Sequence, residues 1–294
     1  MRYHVGRWRN FMTGTPKDVI KQYHIKPRRK LGQSFLLDPN IIHKIVAASG
    51  ISAEDVVVEI GAGIGVITEN LAQQCRKIIA VELDENLVEV LKDKLAGYHN
   101  AEIHSGDVLK YDYASTSNTY NCKIKVIGNI PYNISSPVIF HLLNYRSAIS
   151  DFVLMLQKEV VARLVAGPDN KSYGVPSVLL QMFASVEKVF DVPAACFYPR
   201  PKVESAVMKG YFLKEPAVEL YNEVLFTLLV KAAFARRRKM LLNNLRNLGI
   251  TKDIGEDTLK DILASAGIDG RRRGETLSVA EYGRLSNLLQ KAID

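Results

Sequence analysis

Asn129-Ile130-Pro131-Tyr132 follows directly on the apolar run Lys125-Val126-Ile127-Gly128, where a buried strand would end. An amide, a rigid proline and an aromatic face are thereby delivered together to the carboxyl end of a strand, where ligands bind in an open α/β sheet. These groups suit a flat base that carries an exocyclic amine. Such an amine is a poor nucleophile because its lone pair is delocalised into the ring. The Asn129 side-chain oxygen and the Ile130 backbone carbonyl can accept its two N–H bonds and orient the lone pair toward a methyl donor. Pro131 fixes that carbonyl, and Tyr132 offers a face on which the base stacks. Taken alone, Asn129 also reads as a strand-end turn former and Tyr132 as a core aromatic.

Three further features stand upstream, in order. Val58-Glu59-Ile60-Gly61-Ala62-Gly63-Ile64-Gly65 sets a glycine-rich turn between a strand and a helix. Gly61 and Gly63 admit close approach of a ligand to the backbone, and the helix N-terminus offers free N–H donors. A dinucleotide fingerprint requires glycine at position 66, which is Val66 here, so a dehydrogenase is disfavoured. Glu82 ends the next strand, 21 residues after Gly61, where a carboxylate can accept from both hydroxyls of a ribose. Asp107 follows the third strand, placed to accept from an adenine amino group. Either acid by itself is a surface residue or a helix cap. In series at three successive strand ends, these elements imply an adenosine without a pyrophosphate, which is S-adenosylmethionine.

The elements that must position these groups follow from periodicity. Short apolar runs rich in β-branched residues at 56–60, 78–83, 101–104, 123–128 and 152–156 read as strands. Between them, apolar spacing of i, i+3, i+4 predicts helices at 41–48, 68–74, 87–95 and 136–143. The alternation implies a mainly parallel sheet covered on both faces. Runs at 186–192 and 204–212 have no long helix between them and predict an antiparallel edge. Beyond Pro216 the pattern is helical throughout, with helices expected near 220–233, 238–248, 257–266 and 279–292, which puts a boundary near residue 213.

Composition narrows the class. The 294 residues are 47% hydrophobic, enough for a large core, and no apolar run reaches the length of a membrane span. Cys75, Cys122 and Cys196 are odd in number and widely separated, so neither a disulfide framework nor a cysteine metal clamp can be drawn. A reduced cytoplasm fits. The six histidines show no ligand spacing. The net charge of +8 is unevenly spread: residues 1–30 hold nine Lys or Arg against Asp18 alone, whereas 31–213 hold 16 basic and 19 acidic residues. The dense clusters, 26–30 and Arg236-Arg237-Arg238-Lys239, are of the kind that attracts phosphate backbones by counterion release.

With these motifs together the chain resembles the ribosomal RNA adenine dimethyltransferases, of the type that modifies the small subunit, over about residues 26–289. The resemblance is carried by Leu31-Gly32-Gln33-Ser34-Phe35-Leu36, the Gly61 turn, Glu82, Asp107, Asn129-Ile130-Pro131-Tyr132-Asn133-Ile134-Ser135 and Phe197-Tyr198-Pro199-Arg200-Pro201-Lys202-Val203. The run 236–239, Asn243-Asn244-Leu245 and Glu275-Thr276-Leu277-Ser278 complete it. It implies a Rossmann-like class I methyltransferase sheet in an α/β domain at 26–213, with a small all-helical RNA-binding domain at 214–294. Residues 1–25 lie outside it and read as a flexible basic extension, or as a start misplaced from Met12.

By the same resemblance, Ser34, Leu36, Gly61, Glu82, Asp107 and Asn129 contact S-adenosylmethionine, together with Gly63 of the turn. Position 34 is usually Asn or His in this family, so the shorter serine is expected to act through its backbone or a water. Phe197 is expected to flank the base opposite Tyr132. Arg28, Arg29, Lys30, Arg236, Arg237, Arg238 and Lys239 are expected to hold RNA. The implied activity is dimethylation of the N6 amine of two adjacent adenines in a 3′-terminal hairpin loop of 16S rRNA within an assembling 30S subunit, by a cytoplasmic monomer. Methyl transfer is an in-line displacement with a good leaving group, so positioning suffices and neither a metal nor a strong base is called for.

Three alternatives stay open on sequence. A large-subunit rRNA adenine methyltransferase conferring antibiotic resistance shares the catalytic motifs, although the 236–278 pattern argues against it. An amine methyltransferase of DNA or of protein glutamine usually carries proline directly after the Asn, where this chain has Ile130. A non-catalytic ribosome assembly or transcription factor could retain the fold.

Overall fold

The computed structural model describes residues 15–246 and 249–294, without the side chains of residues 29, 250, 252 and 253. Seven strands make one sheet: β1 (Val56–Ile60), β2 (Lys77–Glu82), β3 (Ala101–Ser105), β4 (Ile124–Asn129), β5 (Ile149–Gln157), β6 (Ala184–Val192) and β7 (Ser205–Phe212). Their order is β3-β2-β1-β4-β5-β7-β6. The first five run parallel, and β7 inserts antiparallel between β5 and β6. The antiparallel edge expected from 186–192 and 204–212 is therefore present. A separate two-residue ribbon pairs Phe35 with Tyr198 and Leu36 with Phe197.

The parallel strands are nearly continuous apolar runs because helices cover both of their faces. All five residues of β1 are buried. On one face α2 (Pro39–Ser49) and α3 (Val66–Ala72) bring Ile41, Ile45, Ile67 and Leu71 onto Val57, Ile78, Ile127 and Val153. On the other, α6 (Ser135–Asn144) and α8 (Val175–Phe183) bring Val138, Leu142, Val178 and Leu180 onto Val56, Val58, Val126 and Phe152. That second core continues without a break into Leu225, Phe226 and Leu229 of α9 (Glu223–Phe234) and Leu285 of α13 (Val279–Ile293). Beyond β7 every described element is helical or a single 3-10 turn.

Several expectations need correction. The helix expected at 238–248 is only α10 (Leu241–Leu245); residues 235–239 form turns, so the basic run precedes the helix rather than opening it, and 247–248 lie outside the described residues. The helix expected from 220 starts later, because the Asn222 side chain caps it by accepting from the Leu225 N–H (3.0 Å). The flexible extension does not hold for residues 15–25. Thr15 and Asp18 cap α1 (Pro16–Gln22), whose Val19 packs with Leu87 and Val90 of α4 (Glu85–Leu95), and the Tyr23 hydroxyl donates to Asp93. Residues 1–14, including Met12, lie outside the described residues. Helix α5 (Tyr113–Tyr120) had no apolar period to reveal it; Asp112 starts it by accepting from Ala114 and Ser115 N–H groups, and Asn121 ends it in the left-handed region.

One cross-strand contact has a direct consequence for stability. Gly210 of β7 lies opposite Phe152 of β5, and a Cβ there would sit 2.2 Å from the Phe152 ring. Gly210→Ala must displace that buried ring, so urea titration is expected to show a loss of about 1–3 kcal/mol from overpacking.

Candidate functional site

A cavity of about 220 Å³ opens at the carboxyl ends of β1, β2, β3 and β4. Every residue expected to contact the cofactor or the base lines it: Ser34, Leu36, Gly61, Gly63, Glu82, Asp107, Asn129, Ile130, Pro131, Tyr132 and Phe197. The topology brings them together. β1 lies between β2 and β4, so the glycine turn, Glu82 and Asn129 leave three neighbouring strands side by side.

Gly61 and Gly63 both have positive φ (70° and 59°), a backbone that glycine adopts without strain. The Gly61 N–H donates to the Val81 carbonyl at 2.9 Å, which ties the turn to β2. A side chain on Gly61 would enter the gap before Asn129 and Pro131, so the two glycines leave a cradle that a ligand can occupy. Glu82 closes this cradle. Its Oε2 accepts from the Gly63 N–H (2.8 Å) and its Oε1 from the N–H groups of Leu83 and Asp84 (2.9 Å each). Burial pushes its carboxyl above the usual range, and the backbone donors only partly offset this. Asp107 accepts from the Leu109 N–H at 3.0 Å, which holds the carboxylate at the end of β3.

On the other side of the cavity, Asn129 Nδ2 donates to the Ser34 carbonyl (3.1 Å). The amide nitrogen is thereby engaged, and Oδ1 is the acceptor left for a ligand. The Ile130 N–H donates to the Met155 carbonyl (3.0 Å) while its side chain is buried in the core, so Ile130 faces the cavity through backbone alone. The Tyr132 hydroxyl and Ser205 Oγ are 2.9 Å apart, which anchors the ring, and desolvation raises the phenol's pKa. Phe197 is 5% exposed and lines the same space. These donors and acceptors fit a ligand with ribose hydroxyls and an adenine, and the aromatic pair fits a second flat base.

The positive clusters lie apart from the cavity lining. Arg236, Arg237, Arg238 and Lys239 are all exposed and form no ion pair among the described residues. Lys30 is exposed. Arg28 is different: its guanidinium pairs with Asp84 at 3.1 Å, and the Gln33 amide donates to the same carboxylate at 2.8 Å. The Arg29 side chain lies outside the described residues. No spacing rule pointed to Gln33, Asp84 or Ser205, because their partners are distant in sequence.

Comparison with known proteins agrees with this geometry. The family described as ribosomal RNA adenine dimethylase matches residues 24–290. The chain belongs to that family. A protein named ribosomal RNA small subunit methyltransferase A from Syntrophus aciditrophicus is 43% identical over 274 residues, covering 93% of this chain and 98% of that protein. One of the same name from Bacillus cereus is 41% identical over 278 residues, with 93% and 94% covered. Among solved structures, a dimethyladenosine transferase from Plasmodium falciparum aligns with a TM-score of 0.74 at 27% identity, covering 85% of this chain and 95% of that one. The 23S rRNA methyltransferase ErmE shares the fold at a TM-score of 0.67 and 23% identity, with 87% and 99% covered. The class I methyltransferase fold is thus present, and the chain is an S-adenosylmethionine-dependent rRNA adenine methyltransferase.

Glu59 was legible only as part of the glycine motif, yet it also lines the cavity. It is 2% exposed, and its Oε2 has no hydrogen-bond partner among the described residues. Burial, reinforced by the Glu82 charge, raises its pKa from 4.5 to about 8. Folding therefore strengthens its hold on a proton. The resulting stabilisation is complete below the unfolded value of 4.5 and is lost as pH rises through about 8. Thermal melts are expected to show the wild-type Tm falling relative to that of Glu59→Gln across that window, the underlying loss of stability being on the order of a few kcal/mol at most.

Proposed function

We propose that this protein dimethylates the N6 amines of two adjacent adenines in a 3′-terminal hairpin loop of 16S rRNA during assembly of the 30S subunit. Bound S-adenosylmethionine supplies an electrophilic methyl group. Supporting its placement are the Gly61 and Gly63 turn for its backbone approach, Glu82 for ribose hydroxyls, Asp107 for its adenine amine, and Leu36 with the backbone of Ser34 in the opposite wall. The observation that carries the acceptor side is the engaged amide of Asn129, which leaves Oδ1 to accept from the target N6–H. The Ile130 carbonyl, held before Pro131, accepts the second N–H. Tyr132 and Phe197 stack on the target base, and the Tyr132 anchor on Ser205 limits its motion. With both N–H groups accepted in this way, the nitrogen lone pair is presented for in-line attack, and catalysis is by positioning.

For the substrate, the 41–43% identity to two small-subunit methyltransferases over more than nine-tenths of the chain favours small-subunit RNA. The unpaired charges of Arg236, Arg237, Arg238 and Lys239, with Lys30, suit its phosphates, whereas Arg28 is already paired with Asp84. We assign the methyl-transfer unit to residues 26–213 and the RNA-holding unit to 214–294. The protein is proposed to act as a monomer, in the cytoplasm, on the assembling subunit.

The test is incubation of the purified protein and radiolabelled S-adenosylmethionine with unmethylated small subunits, large subunits and naked rRNAs, followed by digestion to nucleosides. Dimethyladenosine is expected from small subunits alone, and Asn129→Ala is expected to lower the rate about 100-fold or more. Label in large-subunit RNA would favour the resistance-type activity, and no label in any RNA would favour a scaffold.

A further inference from the structure

Residues 31–36 line the cavity and are tied both to Asp84 beside the glycine turn and to Asn129 and Pro199. On the cofactor side, the tie is the Gln33 amide to Asp84 (2.8 Å). On the base side, Phe35 and Leu36 pair antiparallel with Tyr198 and Phe197, and the Leu37 N–H donates to the Cys196 carbonyl at 2.8 Å. In that register, the next position opposite Ser34 is Pro199. Beyond the last paired residues, the Ser34 hydroxyl adds a side-chain tie by donating to the Pro199 carbonyl at 2.8 Å. The Ser34 carbonyl meanwhile receives the Asn129 amide at 3.1 Å.

The hydroxyl and carbonyl bonds of Ser34 therefore both go to the acceptor side, and its single hydroxyl proton is already committed. We propose that Ser34 is a positioning residue for the target base: its hydroxyl holds the loop that carries Phe197, and its carbonyl sets the Asn129 amide so that Oδ1 is presented. Its side chain is not a cofactor donor. The inference rests on the reading of this cavity as a site of adenine methylation.

The hydroxyl can be removed without touching the carbonyl, so Ser34→Ala isolates one of the two roles and Ser34→Thr restores it. Three quantities are compared for the full-length wild type and the two variants: amide hydrogen exchange of peptides spanning residues 194–203 in the free protein, the cofactor Kd by calorimetry, and the single-turnover rate of methyl transfer to small subunits. For Ser34→Ala, exchange is expected to rise about fivefold and transfer to fall about tenfold, with Kd within about twofold of wild type. Ser34→Thr is expected to recover both exchange and rate. A Kd weakened by the same factor as the rate would make Ser34 a cofactor ligand and overturn the proposal. Unchanged exchange and rate in Ser34→Ala would also overturn it. A wild type that methylates no rRNA would instead overturn the underlying reading, and that outcome is visible before any variant is compared.

Discussion

The site depends on one close approach between neighbouring parallel strands. Gly128 of β4 stands opposite Ile60 of β1, and a Cβ on it would lie 2.5 Å from the Ile60 side chain and 2.7 Å from its carbonyl. Only glycine permits that spacing. Immediately beyond the pair, the two strands release Gly61 and Asn129, and a Cβ on Gly61 would be 3.5 Å from the Asn129 carbonyl. The cofactor turn and the acceptor loop thus begin a few ångströms apart. Transfer of a methyl group requires donor and acceptor atoms in contact and in line, and the proposed function places that geometry at this seam.

The surrounding structure keeps the seam in register. Residues 31–36 close the cavity like a strap, joined to Asp84 on one side and to Asn129 and Pro199 on the other. Gly32, with φ at 65°, lets the strap pass so close to Asn133 that a Cβ would fall 2.9 Å from its side-chain oxygen. Beneath the turn, burial raises the pKa of both Glu59 and Glu82, so folding favours the protonated form of these carboxyls. The core shared by the sheet, α9 and α13 links the exposed cations at 236–239 firmly to the catalytic half.

The sheet and most of the site were legible in the sequence, and the reason is physical. Parallel strands buried on both faces write themselves as apolar runs, and residues at their ends become neighbours whenever the strands do. Glu82, Asp107 and Asn129 could therefore be assembled from order alone. Helix α5 was invisible because capping by Asp112, rather than an apolar stripe, specifies it. The short α10 was overextended because the apolar residues after Lys239 share a helical period with the basic run, which instead forms turns. The pairing of Arg28 with Asp84 and of Ser34 with Pro199 could not be read, since tertiary contacts across 56 and 165 positions leave no local pattern. Glu59 belongs to the glycine motif, but that its Oε2 finds no hydrogen-bond partner among the described residues is a property of the packed interior.

The most direct measurement of the central claim is a crystal structure of the complex with S-adenosylhomocysteine and a hairpin oligonucleotide carrying the target adenines. The account predicts one adenine turned out of the loop between Tyr132 and Phe197. Its N6 should lie about 3 Å from both Asn129 Oδ1 and the Ile130 carbonyl. A base bound elsewhere, or an N6 facing away from both acceptors while the cofactor site is filled, would contradict it.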